Sequence, residues 1–225
     1  MKIAVAIDGP AAAGKSTVAK LIAEAKGFTY IDTGAMYRAF TWYCLKKGVN
    51  CQDHDACIAL IPEVHIELKP GHVVICNDED VSFAIRQTDV SGNVSYIASY
   101  KEIRLALVEQ QRKMAENDSV IMDGRDIGTY VLPNAEVKIY QIASVETRAM
   151  RRYEENMQKG IPCTLAEIEE DVRKRDYIDS HRDFAPLRPA EDSILLDTSF
   201  MSIQEVVDAI IAIIDKKIEE LSSNA

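Results

Sequence analysis

Lys15 follows Gly14 and precedes Ser16 and Thr17 in the stretch "VAIDGPAAAGKST", residues 5–17. With Gly9 also in place the spacing is G-x-x-x-x-G-K-[ST], the pattern of a phosphate-binding loop. Backbone N–H groups around such a loop converge on an anion, and the dipole of a following helix favours negative charge at the same point. Gly9, Pro10, Ala11, Ala12, Ala13, Gly14, Lys15, Ser16 and Thr17 are therefore expected to hold a nucleotide polyphosphate. Lys15 is expected to reach the β- and γ-phosphates, and the Ser16 hydroxyl to ligate Mg²⁺.

The loop has this meaning only between a strand and a helix. Ile3 to Ile7 is an apolar run, and Val18, Leu21, Ile22 and Ala25 follow at helical spacing. Four further strands are predicted at "FTYIDTG" (28–34), "SVIMDGRD" (119–126), "EVKIYQIAS" (136–144) and "SILLDTS" (193–199). Most are continuous apolar runs, as in strands covered on both faces of a parallel sheet. Helical patterns separate them at 15–26, 35–47, 100–116, 145–158 and 202–221. Alternating strands and helices imply right-handed βαβ units and an open α/β sheet. Ligands then gather at the carboxyl ends of the strands, where "DTG", "DGRD" and "DTS" also fall.

Two regions break the alternation. Residues 64–86 alternate apolar and polar around "KPGH" and "NDED" turns, which predicts a small antiparallel meander. Residues 148–188 hold seven of the twelve arginines and the acidic helix "LAEIEEDVRKRD".

Composition narrows the class. The chain has 225 residues, enough for one domain with a sizeable core, and its 47% hydrophobic and 28% charged content is that of a globular protein in water. A net charge of −10 argues against a nucleic-acid or anionic-membrane partner, since both need basic surfaces. The five cysteines are odd in number and include no C-x-x-C pair, which fits a reducing cytoplasm without a zinc site. The N-terminal apolar run is too short for a signal peptide, and no stretch approaches the ~20 residues of a membrane span. No His, Cys or Ser constellation suggests covalent catalysis, and phosphoryl transfer does not need one.

"GPAAAGKST", "DTGAMYR", "VIMDGRDIGT", "RKRDYIDSHRDFAPLRPAED" and "LLDTS" occur in the order and at the spacing found in bacterial cytidylate kinases. The chain resembles that family over nearly its whole length. The resemblance implies a three-layer α/β P-loop kinase with a five-stranded parallel core sheet (about 1–33, 109–149 and 188–225). It also implies a monophosphate-binding lobe over 34–108, with a β insert at about 62–90, and a helical lid over 150–187. The implied reaction is phosphoryl transfer from ATP, with Mg²⁺, to CMP or dCMP.

On physical grounds, Thr33, Tyr37 and Arg38 lie at a strand end and on the first turns of a helix. Arg38 can fork onto a phosphate bidentately, a geometry lysine cannot reproduce, while Tyr37 fits core packing equally well. Asp123 ends an apolar strand as a Walker B acid does and is a candidate for the Mg²⁺ shell. Arg125 is a candidate clamp for the acceptor's phosphate, and Asp126 a candidate acceptor for an exocyclic amine.

Ser95 and Arg104 carry little signal alone, and the resemblance places them beside Asp126 at the base. It places Arg175, Asp179 and Arg182 at the acceptor's sugar and phosphate. Lid arginines would balance charge on the transferring phosphoryl group, with Arg151, Arg175 and Arg182 the catalytic candidates beside Lys15. Arg148, Arg151 and Arg152 also neighbour Glu146, Glu154 and Glu155, so catalytic roles and surface ion pairs both stay open. Many family members carry glycine where this loop has Ala12, so Ala12 is expected to avoid positive φ. Two rivals remain: a small-metabolite kinase of shikimate-kinase type, and a nucleotide-dependent switch protein. An acidic monomer in the cytoplasm is the expectation.

Overall fold

The computed structural model describes residues 1–158 and 160–223. The run before the phosphate loop forms β1 (Ala4–Asp8), buried from Val5 onward. The loop opens into α1 (Lys15–Lys26), which ends where Gly27 takes the left-handed conformation and donates its N–H to the Ala23 carbonyl. β2 (Thr29–Asp32) leads directly into α2 (Thr33–Lys46), because the Asp32 carboxylate accepts the Ala35 N–H and caps the helix. A short α3 (His54–Ile58) follows. Then come β3 (Ile66–Lys69), β4 (Val73–Cys76) and β5 (Glu79–Asp80), and the helices α4 (Thr88–Ile97) and α5 (Lys101–Met114).

β6 (Val120–Gly124) returns to the core and runs into a π-helical turn over Ile127–Val131. After it come β7 (Val137–Ile142), α6 (Val145–Gln158), α7 (Leu165–His181), β8 (Ile194–Asp197) and α8 (Ile203–Ser223). Five strands form one parallel sheet in the order β2-β6-β1-β7-β8. The register sets Asp32 beside Asp123, and Asp8 beside Gly124 and Tyr140. The carboxyl ends that carry the site chemistry therefore share one edge.

Side-chain alternation along β1 divides the core into layers. Val5 and Ile7 pack with Val18 and Ile22 of α1 and Ile210 and Ile214 of α8. Ala6 faces the other way, with Ile31, Met122, Val108 of α5 and Ile127. Each fully buried Ile or Val of this kind contributes about 1.5–3 kcal/mol, so the sheet edge is a firm base for a site. A separate core built on Met36, Phe40, Ile66, Ile97 and Leu107 joins α2, α4 and α5 to the antiparallel sheet β3-β4-β5. α6 and α7 share only a small cluster of Ala149, Ile168 and Val172. α7 starts at a capping box in which Thr164 accepts from Glu167 N–H and Glu167 accepts from Thr164 N–H.

Three expectations are corrected. The apolar run at 193–199 is not covered on both faces: β8 is the outermost strand, and Ile194 and Leu195 are exposed. Only Leu196 reaches the α8 layer, because β8 has a single neighbour, β7. The alternating stretch 64–86 makes strands only as far as Asp80, and 84–86 turns into a 3₁₀ segment ahead of α4. α4 itself falls outside the predicted helices. Lys159, in the stretch "KGIPCT" between α6 and α7, lies outside the described residues.

Candidate functional site

The phosphate loop fits tightly against the sheet. Gly9 sits at φ 152, and a Cβ there would lie 2.0 Å from the Gln141 carbonyl oxygen, so no larger residue fits between loop and β7. Gln141 in turn donates its side-chain N–H to the Ala13 carbonyl at 2.6 Å. Ala12 does not avoid positive φ: it stands at φ 58. The loop must curl so that its amides share a focus, and that demands a left-handed residue here at a cost of roughly 1–2 kcal/mol for any side chain with a Cβ. The Ala12 methyl recovers some of this by packing on the Ala149–Ile168–Val172 cluster.

Lys15 is buried and donates to the Pro10 carbonyl at 2.7 Å, bending back over the loop. Burial, together with the positive Arg125 nearby, pushes its ammonium well below the usual lysine range. A polyphosphate in the loop reverses that penalty by supplying negative charge. α6 and α7 meet the loop directly. Arg148 donates to the Ala11 carbonyl at 2.9 Å and pairs with Asp176 at 2.7 Å, while Asp176 accepts the Ala11 N–H at 3.1 Å. Arg151 donates to the Ala13 carbonyl at 3.3 Å and to the Thr198 carbonyl at 2.7 Å, stitching the segment after β8 to the loop.

At the end of β6, Asp123 accepts from the Ser16 hydroxyl and from the Tyr30 hydroxyl, both at 2.7 Å. Thr33 donates its hydroxyl to the Asp123 backbone carbonyl at 2.7 Å. Burial, reinforced by the negative charge of Asp32, pushes the Asp123 carboxyl up. Such a group gains from a nearby cation.

The arginines gather beyond it. Arg38 pairs with Asp32 at 3.2 Å, and Arg125 pairs with Asp179 at 2.8 Å. Arg175 has a buried Nε with no hydrogen-bond partner, and burial beside the positive Arg125 lowers its guanidinium to about 10. A buried, unpaired guanidinium donor beside like charge is a seat for an anion.

Deeper still, Asp126 is held between Arg104 and Arg182, the latter at 3.3 Å, all three being nearly inaccessible. Both arginines also donate to the Ala98 carbonyl, at 3.0 and 3.5 Å. The Arg104 guanidinium lies 5.2 Å over the Tyr37 ring. Tyr37 packs in the core around α2 while its ring faces this cluster.

The structure thus brings together Lys15, Ser16, Asp123, Thr33, Arg125 and Asp179 around the loop, and Arg104, Asp126, Arg182 and Tyr37 in the deeper group. Ser95 is buried in α4 but makes no hydrogen bond to Asp126 or Arg104 among the described residues. Thr17 points to solvent on α1. Four residues were missed: Asp8, Tyr30, Gln141 and Asp176. Gln141 had a signal, a lone amide inside the apolar run "VKIYQI". So did Asp8, an acid closing a buried strand.

A glycine–lysine loop at the end of a central parallel strand, faced by arginines from α2, α7 and the β6 turn, defines a P-loop kinase. The chain belongs to the cytidylate kinase family, whose model, described as "Cytidylate kinase", matches residues 5–216. A cytidylate kinase of Anoxybacillus flavithermus is 52% identical, covering 97% of this chain and 98% of that protein. One from Bacillus subtilis is 49% identical, covering 96% and 98%. In architecture the chain is similar to a gluconokinase from Sinorhizobium meliloti, with TM-score 0.54, 11% identity and coverage of 99% and 97%; this likeness concerns the fold alone.

Proposed function

We propose that this protein transfers the γ-phosphoryl group of ATP to CMP or dCMP, releasing ADP and CDP or dCDP. The observation that carries the choice of base is Asp126, a buried carboxylate fixed between Arg104 and Arg182 beside the phosphate loop. A carboxylate offers about four lone-pair sites. The two arginines occupy two of them, which leaves capacity for the cytosine N4 amine. Arg104 has an Nε without a partner, available to the ring N3 or O2.

In the working complex, the loop amides and Lys15 hold the β- and γ-phosphates of ATP. Arg38, Arg125, Arg175 and Arg182 hold the acceptor's phosphate in line, Asp179 orients its sugar, and Ser95 and Tyr37 border the base. Arg151 balances charge on the transferring group from the lid. The acceptor is already an anion, so no general base is needed, and positioning with electrostatics supplies the catalysis. The adjacent Ser16 hydroxyl and Asp123 carboxylate are hard oxygen donors and fit Mg²⁺. Among the described residues no cluster of three or more acids, histidines or cysteines could cage a metal, which suits an ion held partly by substrate phosphates. Bound there, Mg²⁺ would neutralise developing charge on the phosphates.

The working parts in this reading are a core (1–33, 109–149, 188–225), an acceptor lobe (34–108) and a lid (150–187). No described helix is long and apolar enough to cross a membrane. Action as a cytoplasmic monomer completes the proposal. Membership of the cytidylate kinase family disfavours both the small-metabolite kinase and the switch protein. ADP release measured with CMP, dCMP, UMP, AMP and shikimate tests the reading. CMP and dCMP should dominate, and turnover of shikimate or AMP ahead of CMP contradicts it.

A further inference from the structure

Asp8 closes β1 one residue before Gly9 and is 5% exposed. Its two carboxylate oxygens accept the backbone N–H groups of Ile127 and Gly128, at 2.8 and 2.7 Å. Those amides open the π-helical turn over Ile127–Val131, and the residue that leads into it is Asp126. Burial pushes the Asp8 carboxyl up to about 7, with the two N–H groups pulling it back down. Burial alone disfavours such a group, and a neutral side chain would fill the space without the desolvation penalty. The turn comes close to meet it: a Cβ on Gly128 would lie 3.5 Å from Asp8 Oδ2 and 3.2 Å from the Lys138 side chain.

Asp126 itself cannot be placed by its side chain alone. Its oxygens are committed to Arg104 on α5 and Arg182 at the end of α7, two elements outside the sheet. Among the described residues, the hydrogen bonds that tie the backbone of its turn to the strand that launches the phosphate loop are the two this carboxylate accepts, beside the apolar packing of Ile127 and Val131 on Ala6. β1 and β6 are neighbours up to Asp8 and Gly124, and the ladder stops there. Beyond that point Asp8 is the side chain that continues the connection.

We infer that Asp8 is a positioning residue for nucleobase recognition. It fixes the backbone that presents Asp126 and so sets the base-reading group at a defined place relative to the phosphate loop. This rests on Asp126 as the reader of the base, and deepens that reading by naming what holds the reader.

The test compares Asp8→Asn with Asp126→Asn, each assayed with CMP and UMP at saturating ATP, and with ATP varied at saturating CMP. Asp8→Asn keeps the shape but turns an N–H₂ toward one of the two amides. The KM for CMP should rise about ten-fold and the CMP-to-UMP ratio of kcat/KM should narrow about five-fold, with kcat and the ATP KM within about two-fold of wild type. An unchanged ratio, or KM values for ATP and CMP rising together, overturns the inference, because a merely structural prop would move both. An unchanged ratio in Asp126→Asn instead overturns the base reading itself, and it does so independently of Asp8.

Should Asp8→Asn not fold, amide hydrogen exchange on the wild-type enzyme decides. Ile127 and Gly128 should exchange slowly, and more slowly with CMP than with UMP. Equal exchange with CMP, UMP and no ligand overturns the inference.

Discussion

The Ser16 hydroxyl donates to Asp123 Oδ2 at 2.7 Å, joining the first turn of α1 to the end of β6. The other Asp123 oxygen is occupied by the Tyr30 hydroxyl, so the carboxylate is held in one orientation from both sides. A hydroxyl and a carboxylate fixed in this way are two hard oxygen donors that would hold Mg²⁺, with substrate phosphates and water completing its shell. Asp123→Asn should therefore lower turnover about 10²-fold and raise the Mg²⁺ concentration for half-maximal rate. Initial rates across a Mg²⁺ titration check this, and an unshifted midpoint contradicts the assignment.

Lys15 is held ready by the Pro10 carbonyl at 2.7 Å, and burial makes its charge costly until an anion arrives. Lys15→Ala should cut kcat by about 10²–10³-fold while the KM for CMP changes by less than about three-fold, because the loss falls on transition-state charge. Steady-state kinetics with both substrates varied measures the split. Near-normal turnover removes Lys15 from the catalytic account.

Asp8 gives the fold a specific pH dependence. Its carboxyl is raised from 3.8 to about 7, so the native state keeps a proton that the unfolded chain releases. Stability from this group is intact below pH ~4 and declines as pH rises to ~7, by at most about 4 kcal/mol at 1.36 kcal/mol per unit. Urea unfolding at pH 4.5 and pH 7.5 should show wild type losing more stability than Asp8→Asn over that interval. Parallel losses in the two proteins contradict the raised carboxyl.

α6 and α7 pack on each other through a small cluster of Ala149, Ile168 and Val172 and the Arg148–Asp176 pair at 2.7 Å, and meet the loop through hydrogen bonds such as that from Arg148 to the Ala11 carbonyl. Little buried apolar area means low local stability. Limited proteolysis between 155 and 170 should be fast in the free protein and suppressed when a bisubstrate analogue bridges both nucleotide sites. Equal cleavage in both states argues against a closing lid.

Local patterns were legible in the sequence, and long-range pairings were not. Gly9, Gly14, Lys15 and Ser16 announce the loop because their spacing falls between an apolar run and a helical pattern. The core strands followed from apolar runs at Ala4–Asp8, Val120–Gly124 and Val137–Ile142. The exposure of Leu195 could not be read, since an edge strand and a central one look alike until neighbours are counted. Ala12 was misread for a related reason: the left-handed turn is demanded by convergence of amides on one point, not by any preference of alanine. Asp8 meets Ile127 and Gly128, and Tyr30 meets Asp123, only after the parallel sheet sets β1, β2 and β6 side by side. The grouping of Arg104, Asp126 and Arg182 likewise depends on three elements that no short motif spans.

The proposed recognition of cytosine rests on Asp126, held between Arg104 and Arg182. Cytosine offers an N4 amine beside an N3 acceptor, while uracil offers an O4 acceptor beside an N3–H, so a carboxylate welcomes the first and repels the second. One good contact of this type is worth about 1–3 kcal/mol of discrimination. The deciding measurement is kcat/KM for CMP and for UMP in wild type, Asp126→Asn and Arg125→Ala. Asp126→Asn should lower activity on CMP and narrow the CMP-to-UMP ratio about ten-fold or more, while Arg125→Ala should weaken both substrates alike. A ratio unchanged by Asp126→Asn, or one narrowed equally by Arg125→Ala, contradicts the account.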